Sequence, residues 1–532
     1  MTSPEQVRLF IDPSLSRMHP PFEMRDMSIA VQRILSALVQ KERMAVYGDY
    51  DVDGVTATAI LYLFLRNAGA DVIPYLPHRL HEGYGLNRKA LEALAGQGVR
   101  LIITVDCGIS DHAEITAANR LGMDVVVTDH HEPGRHRPPA LAVIDPKQAQ
   151  CPYPEAGLSG AGVALNLVVA LRAAIRDELP HNAASNTNLK SYLDLVALGT
   201  VADIVPLTGQ NRILVKAGLS LLSQSVRPGI RALKQVSEIN DGPLSTWDIA
   251  FRLAPRLNAA GRMGTASDAF DLLVTDSAEE ALALASRLEN QNRQRKDLEE
   301  VLIENIDRQI ETRALPFGRS IVVSGPNWHR GLLGIAASRL KERYYLPSLV
   351  IGVENGVGYG SGRSIPGFNL HQALEACGEH LMAFGGHASA AGFRIAPENV
   401  AGFSAAFEAY AASTLTDEHL TPSIDIDART SLEYMTLTAV QQLDLLAPFG
   451  PENPEPVLLS EDVDVAHSHV IKQKHIALSL KTNNGTYFRA IAFNMANQLK
   501  QAPRRIDLVY TPYVERWRGN EAVQLRVVDI GV

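Results

Sequence analysis

The chain has 532 residues, 46% of them hydrophobic and 20% charged, and a formal net charge of −9. Its length predicts three or four domains, and its composition is typical of a soluble globular protein. The net negative charge excludes a uniformly basic protein that coats nucleic acid, and no apolar run is long enough to predict a membrane span or a membrane partner.

The amino terminus has no basic segment followed by an apolar core, so we expect no signal peptide. The three cysteines, Cys107, Cys151 and Cys377, show no CxxC spacing. This pattern suits a reducing, cytoplasmic environment and argues against a cysteine-based zinc site.

The first chemically distinctive segment is GDYDVDG, residues 48–54, which follows an amphipathic helix and a short apolar strand, MAVY. Three carboxylates, Asp49, Asp51 and Asp53, alternate in one strand-to-helix turn, where they repel each other unless a cation neutralises them. We therefore predict a divalent-metal site. A solvated acidic turn is the simpler alternative. A calcium loop is disfavoured because its twelfth position is Ile60 instead of glutamate.

Two more apolar strands end in acids. LIITVDCG, residues 101–108, ends near Asp106, and MDVVVTDHH, residues 123–131, ends in Asp129, His130 and His131. Helical stretches separate these strands, which predicts a parallel sheet with helices on both faces. Because ligands bind at the carboxyl ends of such strands, the acidic clusters should converge there.

Two further segments carry candidate site residues. SYLDLVALGTVADIVPL carries Asp203, which alone would be interpreted as a helix-end cap. APRLNAAGRMG places Arg256, Asn258 and Arg262 among small residues, a combination that suits phosphate oxygens as well as an ordinary solvated loop.

Residues 277–312 predict one long helix with apolar ends and a polar middle, and such a helix is expected to bridge two domains through solvent. A second α/β domain follows. It places His329 before a helix N-terminus, Ser361 and Arg363 in one glycine-rich turn, and His387 in another, which together favour anion binding.

The last part alternates apolar and polar residues as half-buried strands do, and so predicts a small all-β domain. Between Lys472 and Arg526 there are ten basic and three acidic residues, so this segment carries +7 and the remainder −16. Basic strands interleaved with aromatic residues predict a platform for single-stranded nucleic acid. The six aromatic residues are Tyr487, Phe488, Phe493, Tyr510, Tyr513 and Trp517.

Five carboxylates and one imidazole are too many ligands for one ion and suit two cations, Mn²⁺ or Mg²⁺: Asp49, Asp51, Asp53, Asp106, His130 and Asp203. We expect Asp106 to bridge the two ions and His131 to contact the phosphate or the leaving group. We expect Asp129 to orient a histidine.

The motifs GDYDVDG, VDCG, TDHH and VADIVPL, in that order, resemble those of the DHH phosphoesterase superfamily, named for Asp129, His130 and His131. NWHRGLLGIAASRL, GSGRS and GGHASAAG resemble the DHH-associated domain. The terminal β-domain, with PFGPENPEP before it, is similar to the OB-fold of the single-strand-specific 5′→3′ exonucleases of bacterial repair. The resemblance covers nearly the whole chain.

The resemblance implies an α/β fold class in four parts. These are a parallel-sheet DHH catalytic domain (1–276), a long connecting helix (277–315), a smaller α/β DHH-associated substrate-binding domain (316–420) and a C-terminal β-barrel, the OB-fold (421–532). Family members usually carry a few dozen more residues before the stretch that starts here. Either the natural amino terminus lies upstream or this version lacks that arm.

The resemblance also assigns roles. Two Mn²⁺ or Mg²⁺ ions per active site would be held by the six residues named above, with His131, Asp106 and Asp53 as catalytic residues. Arg79, Ser361 and Arg363 would grip the 5′-phosphate. The full set of candidate substrate-binding residues is Arg79, Arg256, Asn258, Arg262, His329, Ser361, Arg363 and His387.

The expected function is a metal-dependent 5′→3′ exonuclease that acts on single-stranded DNA and releases 5′-mononucleotides in repair and recombination. Single-strand-binding protein and a helicase are the expected partners. Three alternatives remain: a phosphodiesterase or phosphatase for short oligonucleotides or small nucleotides, a non-catalytic single-strand-binding relative, and a pyrophosphate hydrolase. The first and last leave the β-domain unexplained, and the second predicts missing metal ligands.

Overall fold

A computed structural model describes residues 3–79, 81–239, 242–312, 318–496, 504–517 and 520–531. The predicted domain boundary between residues 315 and 316 lies outside the described residues, as do Gly519 and the side chain of Trp517. The larger of two compact units comprises Pro20–Asp203 and Leu221–Ser423, and the smaller comprises Met1–His19, Ile204–Ser220 and Ile424–Val532. Among the described helices, none has the length and apolarity needed to cross a membrane.

The secondary structure elements are as follows. The helices are α1 Pro4–Ile11, α2 Met27–Gln40, α3 Val52–Asn67, α4 Arg88–Gly96, α5 His112–Arg120, α6 Gly160–Glu178, α7 Leu193–Ala202, α8 Gly209–Gln224, α9 Pro228–Val236, α10 Thr246–Asp248, α11 Ala254–Met263, α12 Ser267–Val274, α13 Ala278–Glu311, α14 Arg330–Tyr344, α15 Leu370–Ala376, α16 Val400–Thr414 and α17 Leu437–Leu443. The strands are β1 Arg43–Tyr47, β2 Val72–Tyr75, β3 Val99–Val105, β4 Asp124–Thr128, β5 Ala142–Ile144, β6 Ile321–Pro326, β7 Ser348–Glu354, β8 Val357–Arg363, β9 Leu381–Gly386, β10 Ala390–Ile395, β11 Ala428–Arg429, β12 Leu458–Ile471, β13 His475–Lys481, β14 Tyr487–Ala492, β15 Arg505–Trp517 and β16 Asn520–Gly531.

The first sheet of the larger unit is parallel throughout, with strand order β2-β1-β3-β4-β5. Its register pairs Ala45 with Ile102 and Ile103 with Val126. Helices α4 and α5 pack against one face, and α3 and α6 against the other. Burial on both faces explains why the three central strands are continuous apolar runs. The predicted parallel sheet is confirmed, and β2 and β5 are added at its edges.

The long helix α13 is continuous over 34 residues. The sequence predicts that its polar middle bridges two domains through solvent, but one face of that middle is buried. The side chains of Asn292, Arg295 and Glu299 are only 1%, 9% and 3% exposed. Arg295 donates to Glu299 at 2.6 Å, and Arg339 of α14 forms an ion pair with Glu299, also at 2.6 Å. Packing against α11 and α14 buries this face. The ion pairs between its charged side chains offset the free-energy cost of burying them.

The second sheet of the larger unit has the order β6-β7-β8-β10-β9. Strands β6 and β7 are parallel, and the remaining neighbours are antiparallel. Its core includes Leu349, Ile351, Phe403 and Phe407, so α16 packs against the sheet. This is the smaller α/β domain that the sequence predicts.

The smaller unit contains the third sheet, in the order β11-β12-β13-β14-β16-β15. Because β12 also pairs with β15, five of these strands close on themselves around buried apolar residues such as Leu480 and Leu525. Arg212, which is 2% exposed, stacks on Phe10 and donates to the backbone oxygen of Ala447 at 2.9 Å. These contacts tie α1 and α8 to the segment between α17 and β12.

Candidate active site

Three neighbouring strands deliver acidic side chains to one edge of the first sheet. Asp49 follows β1, Asp106 follows β3, and the Asp129 to His131 triplet follows β4. Asp203 reaches the same place from the end of α7. A Cβ atom on Gly54 would lie 2.6 Å from the backbone of Asp49, so the turn GDYDVDG requires glycine at this position.

The local hydrogen bonds fix Asp51 and Asp53 in different ways. Asp51 is the N-cap of α3, and its Oδ1 accepts from the backbone N–H groups of Asp53 and Gly54 at 2.9 and 3.1 Å. Asp53 accepts from the N–H groups of Gly160 and Ala161, at 2.5 and 3.0 Å, at the start of α6. The partial positive charge of that helix N-terminus stabilises a buried carboxylate.

The six predicted ligands, together with His131, form three overlapping groups, and within each group the ligand atoms lie within 4.8 Å of one another. The groups are Asp106 with His130 and His131, Asp53 with His130 and Asp203, and Asp49 with Asp51 and Asp106. Two groups share Asp106 and two share His130. The structure therefore brings together all six predicted metal ligands.

The carboxylates of this cluster are hard to ionise together. Burial, followed by the charge of neighbouring aspartates, raises the pKa of Asp53 to about 7 and that of Asp203 to about 9. The same causes raise the pKa of Asp49 and Asp106 well above the usual range. Oδ1 of Asp49 is buried and has no hydrogen-bond partner among the residues that the structure describes. Oxygen ligands in this state, beside an imidazole, fit a hard or borderline divalent cation.

The two histidines differ in protonation. Burial lowers the pKa of His130 to about 3, so its imidazole is neutral and able to bind a metal. Burial opposes protonation of His131 as well, but the hydrogen bond and charge of Asp129 raise its pKa to about 9. His131 Nδ1 lies 2.8 Å from Asp129 Oδ1, which is the orienting contact that the sequence predicts. His131 is therefore an imidazolium at neutral pH.

A group of arginines lies beside the carboxylates. The guanidinium of Arg79 is 5.0 Å from the centre of the Tyr50 ring, and Arg262 donates to the backbone oxygen of Gly331 at 3.0 Å. Burial, then the nearby positive charges of Arg79, Arg295 and Arg363, lowers the pKa of Arg262 to about 10.

Arg363 and Ser361 lie against helix α14 and complete this cationic group. A Cβ atom on Gly334, in the first turns of α14, would lie 2.9 Å from Nη2 of Arg363 and 3.1 Å from Oγ of Ser361. Within the described residues, neither Arg79 nor Arg363 forms an ion pair with a carboxylate. Unpaired, crowded guanidinium groups at a helix N-terminus favour an anion such as a phosphate.

The other predicted substrate-binding residues differ in their contacts and do not form one group. Arg256 forms an ion pair with Glu289 of α13 at 2.6 Å, whereas the side chain of Asn258 makes no hydrogen bond with the described residues. His387 is near enough to His131 that, after burial, the charge of His131 lowers its pKa. His329 is the N-cap of α14. It lines a cavity of about 380 Å³ with His81, Asn327, Trp328, Arg330, Glu354 and Asn355.

The sequence did not predict two nearby residues. Tyr84 places its hydroxyl 3.1 Å from His131 Nδ1. Asp145 follows β5 and is buried, and burial, then the charge of Asp129, raises its pKa to about 8. The rule that ligands gather at strand ends would have identified Asp145 if β5 had been recognised, whereas Tyr84 has no comparable signal.

The predicted aromatic residues of the β-domain are partly exposed and partly buried. Tyr487 and Phe493 are 58% and 50% exposed, while Phe488 and Tyr510 are buried in the core. Tyr513 donates to Gln524 at 2.9 Å. Tyr487 and Phe493 are therefore available at the surface, whereas Phe488 and Tyr510 belong to the core.

The basic excess of residues 472–526 is offset within the same domain. Residues 424–532 contain eleven basic and thirteen acidic residues, a net charge of −2. Arg505 pairs with Asp462, Arg526 with Glu455, and Arg516 with Glu521. Lys481, which lies 6.0 Å from the Tyr487 ring, forms no ion pair with the residues that the structure describes.

Three family models match the chain. The DHH family N-terminal domain matches residues 43–200, the DHHA1 domain residues 318–413, and the RecJ OB domain residues 426–529. They correspond to the first, second and third sheets.

Individual proteins match over nearly the full chain. The single-stranded-DNA-specific exonuclease RecJ of Bacillus subtilis is 36% identical over 99% of this chain, which spans 66% of that protein. RecJ of Salmonella typhimurium is 36% identical over 98% of this chain and 92% of its own length. The crystal structure of Thermus thermophilus RecJ in complex with Mn²⁺ superimposes with a TM-score of 0.84 and 32% identity, covering 98% of this chain and 73% of that one. The same Thermus protein has been solved in complex with Mg²⁺.

Proposed function

Because the chain belongs to the RecJ family, we propose that it hydrolyses single-stranded DNA from the 5′ end and releases 5′-mononucleotides. The observation that carries this proposal is the meeting of six metal-ligand residues beside an unpaired group of arginines and Ser361. An exonuclease of this polarity needs one site that hydrolyses the phosphodiester and another that binds the terminal phosphate.

Mn²⁺ or Mg²⁺, two ions per site, would be held by Asp49, Asp51, Asp53, Asp106, His130 and Asp203, and would supply Lewis acidity and an activated water. Asp106 belongs to two of the ligand groups, which supports a bridging role. Asp53 is fixed by the α6 N-terminus, which supports its role as a preorganised ligand. Together with His131, these two residues form our proposed catalytic set.

His131 would stabilise charge on the scissile phosphate. It is an imidazolium that is hydrogen-bonded to Asp129 through Nδ1. In the described part of the chain, no residue forms a hydrogen bond with its Nε2. A donor fixed before the reaction stabilises the charge that develops in the transition state.

Arg79, Arg363 and Ser361 would bind the 5′-phosphate, with Arg262 as a further cation. Burial and the charge of Asp51 raise the pKa of Asp49, and the positive charge of Arg79 is close enough to oppose that rise, so the terminal phosphate would lie next to the metal ligands. This proximity supports removal of one nucleotide at a time. Asn258, His329 and His387 would contact the rest of the strand, and Arg256 would act through its ion pair with Glu289.

We propose the domain division 1–276, 277–315, 316–420 and 421–532, with catalysis in the first part and strand binding in the third and fourth. A role in repair and recombination, recruitment by single-strand-binding protein and a helicase, and a cytoplasmic location are parts of the same proposal. The unpaired cysteines support the location, since they suit a reducing compartment.

A metal-dependence assay tests this function. The purified chain is incubated with Mn²⁺, Mg²⁺ or chelator and with 5′-phosphorylated single-stranded DNA, duplex DNA or a cyclic dinucleotide. We expect metal-dependent release of mononucleotides from the single strand only. Hydrolysis of the cyclic dinucleotide alone would support the small-nucleotide phosphodiesterase, and DNA binding without hydrolysis would support the non-catalytic relative.

A further inference from the structure

The loop between β2 and α4, described at 76–79 and 81–87, is held firmly although it lies at the surface. Glu82 is its main anchor. Its carboxylate accepts from the Tyr75 hydroxyl at 2.6 Å, the backbone N–H of His78 at 2.5 Å and the Asn87 amide at 3.0 Å. Three hydrogen bonds to one carboxylate restrict the loop strongly.

A second anchor lies at Gly85 and Leu86, three and four residues after Glu82. The backbone N–H of Leu86 donates to Asp111 at 2.8 Å, and the Tyr47 hydroxyl donates to the backbone oxygen of Gly85 at 3.1 Å. Gly85 has φ of 80°, and a Cβ atom there would lie 2.6 Å from Asp111, so only glycine fits. The side chain of Tyr84 is therefore presented from a fixed backbone.

Tyr84 lies over His131. Its hydroxyl is 3.1 Å from His131 Nδ1 and 3.3 Å from the backbone oxygen of Asp106. The two rings meet edge to face with centres 5.6 Å apart. The phenol is 49% exposed, so one side of the ring stays open toward solvent while the other contacts the catalytic residues.

The hydrogen bonds around His131 assign the protons. Nδ1 lies 2.8 Å from Asp129 Oδ1, which can only accept, and 3.1 Å from the Tyr84 hydroxyl, which accepts here if its own proton goes to the Asp106 carbonyl. The Nδ1–H group donates to Asp129 and is shared with the Tyr84 oxygen, while the Tyr84 proton is donated to the Asp106 carbonyl. Nε2 is then the nitrogen left for the substrate.

We infer that Tyr84 is a positioning residue for the hydrolytic reaction, because it fixes the His131 ring so that Nε2 faces the scissile phosphate. This inference rests on the proposed function, in which His131 contacts that phosphate. Arg79 lies on the same anchored loop. The loop would therefore bind the 5′-phosphate through Arg79 and position His131 at the scissile phosphate through Tyr84.

A double-mutant cycle tests the inference with Tyr84→Phe, His131→Ala and the double variant. Tyr84→Phe keeps the ring and removes only the hydroxyl. We expect kcat on 5′-phosphorylated single-stranded DNA to fall about tenfold, the loss of roughly one hydrogen bond, with KM changed less than twofold. In the His131→Ala background the same substitution should change kcat less than twofold, because Tyr84 acts through His131.

Equal effects of Tyr84→Phe in both backgrounds would overturn the inference, and so would an unchanged kcat in the single variant. Tyr410→Phe is the matched control, since Tyr410 packs on the core of the second sheet. It should leave both kinetic constants unchanged.

A second measurement does not depend on activity. In ¹⁵N-histidine-labelled protein, the Nδ1 resonance that His131→Ala removes should shift in Tyr84→Phe, while the His130 resonances stay in place. An unshifted resonance would overturn the contact. If the wild-type chain released no nucleotides, the proposed function would fail, and this spectrum would still decide whether Tyr84 controls the imidazole.

Discussion

His130 Nε2 lies 2.9 Å from Asp106 Oδ1, and this contact joins the ends of β4 and β3 at one point. The same nitrogen is 3.5 Å from Oδ2 of Asp203, which arrives from the end of α7. Both members of the central contact are buried, at 4% and 2% exposure. A neutral imidazole and two carboxylates at one buried point form a set of metal donors that are far apart in the sequence.

Replacing Asp106 with asparagine should abolish hydrolysis and leave DNA binding intact. The amide keeps the shape of the side chain but removes the charge that two ligand groups share. We expect the rate of mononucleotide release to fall by roughly 10³-fold, since several kcal/mol of charge stabilisation are lost. Fluorescence anisotropy with a single-stranded oligonucleotide should show an unchanged Kd.

Asp177→Asn, on the exposed face of α6, is the control. Activity above a tenth of wild type in Asp106→Asn would refute the bridging role.

Metal-free protein should lose stability as the pH rises from about 7 to about 9. Asp203 has a folded pKa raised to about 9, and that of His131 is also raised to about 9, so the native state binds more protons than the unfolded chain in this window. Stability must then fall with rising pH. His130, with its pKa lowered to about 3, is neutral in both states here and contributes nothing.

The measurement is Tm in chelator at pH values across this window. Saturating Mn²⁺ should raise Tm most at the high end, because metal and protons compete for the same oxygens. Asp203→Asn should flatten the decline in chelator. A metal-free Tm that rises with pH would contradict the assignment of these carboxylates to a crowded, buried cluster.

Arg363→Ala should remove the preference for a 5′-phosphate. Arg363 lies against the first turns of α14 beside Ser361, where a phosphate would receive charge-assisted hydrogen bonds worth about 1.5–3 kcal/mol. Loss of that energy should raise KM for 5′-phosphorylated DNA roughly 10- to 100-fold. KM for the substrate with a 5′-hydroxyl should change little. Arg343→Ala removes an exposed ion pair with Asp307 and a contact with the Tyr344 ring, and it should affect neither substrate. Equal losses on both substrates would show that Arg363 binds the strand in general and not its end.

The sequence predicts the position of the site well, because it depends on local patterns. Each acid follows an apolar β-branched run, and the parallel topology then brings the strand ends together. Tyr84 was not predicted because its contact with His131 depends on how a loop is anchored by Glu82 and Asp111. Such contacts join residues with no periodic relationship in the chain.

Charge patterns were the least reliable guide. The polar middle of α13 suggested exposure, but Glu299 and Arg295 pair with each other and with Arg339. The basic stretch near the carboxyl terminus suggested a polyanion surface, but acids elsewhere in the same domain offset it. In both cases the missing information is which opposite charge lies nearby in the fold.

Glu299→Gln should destabilise the larger unit. The substitution leaves Arg295 buried at 9% exposure without its carboxylate partner, which costs about 3 kcal/mol. The denaturation midpoint of the transition that reports on α13 and α14 should fall. Glu300→Gln, at the adjacent exposed position, is the matched control and should leave the midpoint in place. A midpoint unchanged in both variants would show that the ion pairs contribute little.

Tyr487→Ala and Phe493→Ala should weaken binding of long single strands more than hydrolysis of a dinucleotide. Both rings are half exposed on the third sheet, and Lys481 lies 6.0 Å from the Tyr487 ring. Stacking of one base on an aromatic ring contributes about 1–3 kcal/mol, so each substitution should raise Kd for a long oligonucleotide roughly tenfold or more. Tyr487→Phe keeps the ring and should retain binding.

The salt dependence of Kd is a second measurement. Because stacking involves no counterion release, its slope should be unchanged in the alanine variants. Equal losses on the oligonucleotide and the dinucleotide would contradict a separate stacking surface, and a shallower salt slope would indicate that the variants had disturbed the lysines instead.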